Sequence, residues 1–171
     1  MILTRKTLQY KLSVHLRIDM PNIFVKIPKG SFAGASRVAL SAGISDAAAA
    51  VEQIPADPAK RFLCWVLIEE VETGNWTCGG IDMTARFLPC VALVYVPAGV
   101  LDGAARSRYV ELVHAAFRQS LPAGETRRLE TSVVLHDVAD GAWGVSGVAW
   151  TLADFARAAG YAHLQNVMPN A

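Results

Sequence analysis

The pair of residues with the most chemistry in it is Met20-Pro21. A chain that starts at Met20 and loses that methionine exposes Pro21 as a free secondary amine at the head of a strand, and such an amine can act as a general base. In a chain that starts at Met1, Pro21 is an amide with no basic lone pair. It is then only a strand-opening proline whose missing N–H costs no ladder bond. The four histidines, His15, His114, His136 and His163, show no HxxxH or HxH spacing, so no metal site is expected. His136 and Asp137 adjoin within a strand and point to opposite faces, so they do not form a dyad. Glu69 and Glu70 alternate in the same way, which leaves one of them facing a pocket or an intersubunit contact.

The elements that must position Pro21 follow from local patterning. A strand over 22–27 ends at the turn signal Pro28-Lys29-Gly30. A helix capped by Ser31 then runs through Phe32, Val38, Leu40, Ile44 and the alanines 47–50, closed by Pro55 and Pro58. The apolar run 63–71 reads as a strand covered on both faces, followed by a turn at Thr73-Gly74-Asn75 and a short hairpin return over 76–80. The order then recurs. A Pro-led strand begins near Pro89 and runs over 90–96, and Pro97-Ala98-Gly99 mirrors the first turn. The next helix carries Tyr109, Leu112, Val113, Ala116 and Phe117 on one face, and a strand follows over 131–138. A short helix over 151–160, with a threonine cap and a terminal glycine, closes the fold.

The recurrence is a duplication. Gly74 and Gly141, Trp76 and Trp143, and Gly80 and Gly147 all pair at one offset, 141 − 74 = 67, so the chain holds two β-α-β units, about 21–80 and 89–147. Right-handed crossovers make each pair of strands parallel. The fold class is therefore α+β, a two-layer sandwich with a four-stranded, mainly parallel sheet and two helices on one face. The other face needs a cover, and neighbouring subunits are the economical one.

Composition agrees with such an assembly. The chain is 53% hydrophobic and 18% charged, with a net charge of +1, so no nucleic-acid or anionic-membrane partner is expected. No run approaches the roughly 20 apolar residues of a membrane span. The odd set Cys64, Cys78 and Cys90, without CxxC spacing, suits a reducing compartment such as the cytoplasm. Residues 1–20 carry basic residues but no apolar h-region of about 7–15 residues. They read as a disordered extension or a misassigned start, ahead of a single domain over 21–165 and a frayed tail over 166–171.

A Pro-led strand, a turn ending in Gly30, a helix, and a strand closing on Gly74-Asn75-Trp76-Thr77-Cys78-Gly79-Gly80 resemble the tautomerase superfamily. The closest type is 4-oxalocrotonate tautomerase-like, in the form where two β-α-β units are fused. The resemblance covers about 21–147 and implies a homotrimer with inward-facing sheets. It also implies cofactor-independent enol–keto proton transfer on a small carbonyl substrate, with Pro21 as base. The related lyase, hydratase and dehalogenase activities, and a non-catalytic oligomeric binding or structural role on the same scaffold, are the alternatives. The base is physically reasonable, because an α-amino group titrates near 7.7–8.0 and apolar surroundings lower that further. The family's two carboxylate-binding arginines are replaced. Ser31 and Val100 stand at one position of the two repeats, and Trp65 and Ser132 at the other. Arg37, Arg61, Arg106, Arg127 and Arg128 are candidates for a displaced cation. Arg106, Trp76 and Trp143 are taken as substrate-binding residues. Cys90 matches Pro21 in the second repeat but is internal and carries no amine, so one active site per chain is expected.

Overall fold

A computed structural model of the chain describes residues 22–165. Pro21, the preceding segment and the tail from 166 lie outside the described residues. The first unit consists of β1 (Asn22–Pro28), α1 (Ala35–Val51), a short α2 (Pro58–Arg61) and β2 (Trp65–Val71). The second consists of β3 (Phe87–Pro97), α3 (Gly103–Gln119) and β4 (Arg128–Val138), followed by a hairpin of β5 (Trp143–Val145) and β6 (Val148–Trp150). Helix α4 (Leu152–Ala159) and a 3-10 turn (Ala162–Leu164) close the described chain.

The sheet order is β2-β1-β3-β4. Each unit contributes a parallel pair, β1 with β2 and β3 with β4, and β1 joins β3 antiparallel at the centre. Alternation decides which side is covered. Ile23, Val25 and Ile27 of β1, and Leu88, Cys90, Ala92, Val94 and Val96 of β3, are buried. They form a core with Leu40 and Ile44 of α1 and Tyr109, Val113 and Phe117 of α3. The two helices approach closely, since a Cβ at Gly43 would stand 3.1 Å from the Ala116 Cβ. The duplication also shows in the backbone. The Lys29 N–H donates to the Val71 carbonyl and the Ala98 N–H to the Val138 carbonyl, both at 2.9 Å, and Gly30 and Gly99 take the same left-handed turn, at φ 76° and 95°.

Several local expectations change. Helix α1 begins at Ala35 and its N-terminal residue Gly34 makes no side-chain cap, so Ser31 is not the cap. Strand β2 is an edge strand with Trp65 and Leu67 exposed, uncovered on one face within the chain. Strand β3 starts at Phe87, which places Pro89 inside it and not at its head. The first unit closes on an isolated bridge, Cys78 to Ile81, and only the second has a hairpin. By contrast, α4 is capped as its sequence predicts. Thr151 and Asp154 form a reciprocal capping box, and Gly160 turns left-handed.

Candidate active site

The register sorts the uncovered face into rows that cross all four strands. Asn22 stands opposite Trp65 on one side and Tyr95 on the other, and Tyr95 stands opposite His136. The head of the sheet is therefore the row Trp65, Asn22, Tyr95, His136. The next row, Leu67, Phe24, Leu93 and Val134, is wholly apolar, and the third holds Glu69, Lys26, Val91 and Ser132. Tyr95 and His136 stack with ring centroids 4.6 Å apart and planes 9° apart, and Phe24 meets the Tyr95 ring edge-on at 5.7 Å. Trp65 is 45% exposed. Asn22 Oδ1 is shielded from solvent and, among the described residues, accepts no hydrogen bond. Asn22 is the residue that follows Pro21, which itself lies outside the described residues.

The other sequence-selected residues are placed as follows. Arg106 sits on α3 and donates through Nη2 to both oxygens of Asp137, at 2.8 and 2.6 Å. Asp137 alternates with His136, so this pair lies on the helical side. The first unit holds the same clasp: Arg37 bonds Glu70, which also accepts from the Gly30 N–H at 3.0 Å. The Gly30 N–H and then the Arg37 charge hold the Glu70 carboxyl below its ordinary range. Trp76 is half-buried in the connection between β2 and β3. Trp143, paired with Trp150 across the hairpin, packs on Phe155 of α4 with centroids 5.3 Å apart. Of the two exposed-strand carboxylates, Glu69 pairs with Lys26 on the uncovered face.

The head row escaped the sequence reading because it depends on the β1/β3 pairing, which joins residues 22 and 95. The available signal was period-two alternation in four strands, without the offset needed to align them.

At the opposite end of β3 the second repeat is filled in. Cys90 is 1% exposed, and burial pushes its thiol up to about 12. Beside it, Arg127 bonds Glu125 at 2.9 and 2.6 Å, the Thr84 carbonyl at 3.1 Å and the Ser31 hydroxyl at 3.4 Å. The Arg127 guanidinium holds the Glu125 carboxyl down at about 2. This cation is thus a clasp between the two units. Arg127→Met is expected to cost about 1–3 kcal/mol near neutrality by leaving the Glu125 carboxylate with backbone N–H donation and no guanidinium. Because Glu125 has a depressed pKa, its contribution is present above the ordinary carboxylate value and is lost as pH falls toward 2. Thermal unfolding at pH 7 and pH 3 checks this, and an equal deficit at both would contradict it.

A second concentration of polar atoms lies in the core. Glu52, at the end of α1, is fully buried and accepts from the Tyr109 hydroxyl at 2.8 Å. Tyr161, just beyond α4, also favours the charged form of this carboxyl. Burial outweighs both hydroxyls and pushes Glu52 up to about 8. Cys64, close by, is pushed by burial to about 12. Among the described residues no group of His, Cys, Asp and Glu could hold a metal ion, and no helix is long and apolar enough to cross a membrane.

No known family model matches the sequence, and no curated protein matches it. Solved structures do. The symmetric trimer of wild-type Q0 fused 4-OT is 22% identical with a TM-score of 0.62, over 82% of this chain and 99% of that one. Native fused 4-OT is 18% identical with a TM-score of 0.61, over 75% and 95%. FG41 malonate semialdehyde decarboxylase, inhibited by 3-bromopropiolate, is 16% identical with a TM-score of 0.53, over 72% and 88%. At these identities the likeness concerns the backbone: the chain has the fold of the fused 4-OT proteins.

Proposed function

We propose that this protein is a cofactor-independent tautomerase that moves a proton between the enol oxygen and the adjacent carbon of a small 2-oxo acid or related carbonyl compound. Pro21, as the first residue of the mature chain, is the base. Its amine takes the proton from the enol O–H and returns it to carbon as the C=O forms, so no proton, electron or co-reactant is left over. The observation that carries the reading is the position of Pro21: it immediately precedes Asn22 in a central strand of a fold shared with the fused 4-OT structures. Arg106 lies on the helical side of the sheet and would bind a substrate carboxylate only by exchanging Asp137 for it. Trp76 and Trp143 are the expected aromatic contacts.

The same reading gives the apolar row Leu67, Phe24, Leu93 and Val134 a cover, because the fold is that of a protein described as a symmetric trimer. We propose a homotrimer that closes this face, located in the cytoplasm. The deciding experiment is the intact mass of the protein made from its native locus, with light scattering on the same sample. A mass beginning at Pro21 and a trimeric species are expected. A chain retaining residues 1–20 would remove the amine and leave the non-catalytic binding or structural role on this scaffold. A stable monomer would contradict the covered sheet.

A further inference from the structure

The last described stretch of the chain, 151–165, runs as a strap over both units, and its Tyr161 bears on the buried Glu52. We propose that this strap is a pH-operated latch: loss of the Glu52 proton releases it from the body of the fold, and the Trp143–Trp150 hairpin that it props loosens with it. The inference holds whether or not Pro21 is a base.

The strap is fastened to each unit in turn. In the first, Lys60 of α2 donates to the Ala158 carbonyl of α4, and the Ala162 N–H donates to the Gln53 carbonyl at 3.2 Å. In the second, the His163 Nε2–H donates to the Val100 carbonyl at 2.9 Å. Phe155 is buried and carries both indoles of the hairpin, with the centroids of Trp143 and Trp150 at 5.3 and 5.2 Å. The anchor on the first unit is itself strained. Gln53 has φ 55°, a left-handed backbone that a side chain disfavours, and it directly follows Glu52. An eight-residue helix and one 3-10 turn held in this way open more readily than two seventeen-residue helices packed on a sheet.

Charge decides when it opens. Among the described residues, the groups that bear on the Glu52 carboxyl are neutral ones. They are the Tyr109 hydroxyl of α3, which donates at 2.8 Å, the Tyr161 hydroxyl of the strap and the Cys64 thiol ahead of β2. Arg61 of α2, which bears on Cys64, is engaged with Asp46 and the Ser45 carbonyl, and Lys60 is engaged with the strap. Burial therefore sets the balance, and the carboxyl keeps its proton in the closed fold up to about pH 8. Once ionised, with no cation to meet it, it is drawn to water. Of the two tyrosines that bear on it, Tyr109 belongs to a helix of the main core and Tyr161 to the strap. The strap is the element whose release breaks least.

The test is amide hydrogen exchange of the full chain, read by mass spectrometry from pH 5 to pH 9 and corrected for the intrinsic base dependence of exchange. The opening constant of peptides within 151–165 is expected to rise about tenfold per pH unit up to about pH 8 and to level off above it. At each pH it should exceed that of β3 by at least about tenfold, the mark of a local opening. Peptides over 143–150 should follow the strap. In Glu52→Gln, which keeps a partner for the Tyr109 hydroxyl but cannot ionise, the rise should vanish. Lys60→Met removes one fastening outside the core and decides the matter if Glu52→Gln fails to fold. It should raise strap opening about fivefold at every pH and leave the slope as it was. A strap that exchanges in step with β3 would mean global unfolding only and would overturn the latch. So would a pH-independent strap, an unchanged slope in Glu52→Gln, or unchanged strap opening in Lys60→Met. A hairpin that stays protected while the strap exchanges would overturn its part in the release.

Discussion

Pro21→Ala, in a chain that begins at residue 21, is expected to slow enol-to-keto conversion on the order of 10²–10⁴-fold, the usual worth of a positioned general base. Alanine still offers an amine, but a primary one that rotates freely about its own Cα. Proline holds the nitrogen in a ring, so its lone pair is aimed before substrate arrives. A chain that retains Met20 is the sharper control, because it turns the amine into an amide and abolishes the base outright. Both changes leave Ile23, Val25 and Ile27 in place under the helices, so the association state should be unaltered. The assay is the loss of enol absorbance under matched conditions, with light scattering alongside. Equal rates from the Pro21-headed chain and the Met20-retaining chain would show that some other group moves the proton.

The second large effect concerns stability, and its sign follows from Glu52. Folding raises this carboxyl from an ordinary 4.5 to about 8. Between those values the native chain holds a proton that the unfolded chain has released. Unfolding therefore sheds a proton, and stability falls as pH rises through the window. The contribution is fully present below about 4.5 and lost as pH passes through about 8. Glu52→Gln keeps the shape and a partner for the Tyr109 hydroxyl but cannot ionise. The two proteins should be nearly equal in stability at pH 5. By pH 8 the variant should lead by about 4 kcal/mol, at about 1.4 kcal/mol for each pH unit. For a domain of this size that corresponds to roughly 10 °C in melting temperature. Melting curves at fixed protein concentration from pH 5 to pH 8.5 measure it. Parallel curves for the two proteins would show that Glu52 is ionised throughout, or reached by solvent.

The contrast between these two residues shows what a sequence discloses. Alternation in 22–27 and 90–96, the apolar face of α3 and the glycines of the turns are local properties. They made both β-α-β units readable along the chain, together with the capping box at Thr151. Pro21 stood out because of one neighbour, Met20. Glu52 gave no local sign, since a glutamate ending an alanine-rich helix is normally solvated. It is fully buried in the core, where its hydrogen-bond donor is Tyr109, 57 residues on. The head row is a non-local product of the same kind. Trp65 read as the absence of an arginine until the register set it beside Asn22, in the row that also holds Tyr95 and His136. The start of α1 at Ala35, beyond Ser31, has a smaller cause. Gly34 takes a left-handed φ of 54° there, and the backbone starts the helix without a side chain.

The antiparallel seam between β1 and β3, with Gly43 against Ala116 behind it, has a bearing on stoichiometry. These contacts join the two units independently of the connection over 72–86, which acts as a tether between them. A short tether raises the effective concentration of one unit at the other far above that of separate chains. Here the joined units are unlike: Pro21 precedes the first strand of one, and the matching Cys90 of the other lies buried inside β3. The tether guarantees one of each in every pair and disfavours matched pairs of the same kind. The second unit is thereby released from carrying a head of its own, and its end of the sheet has been given over to the Arg127 clasp.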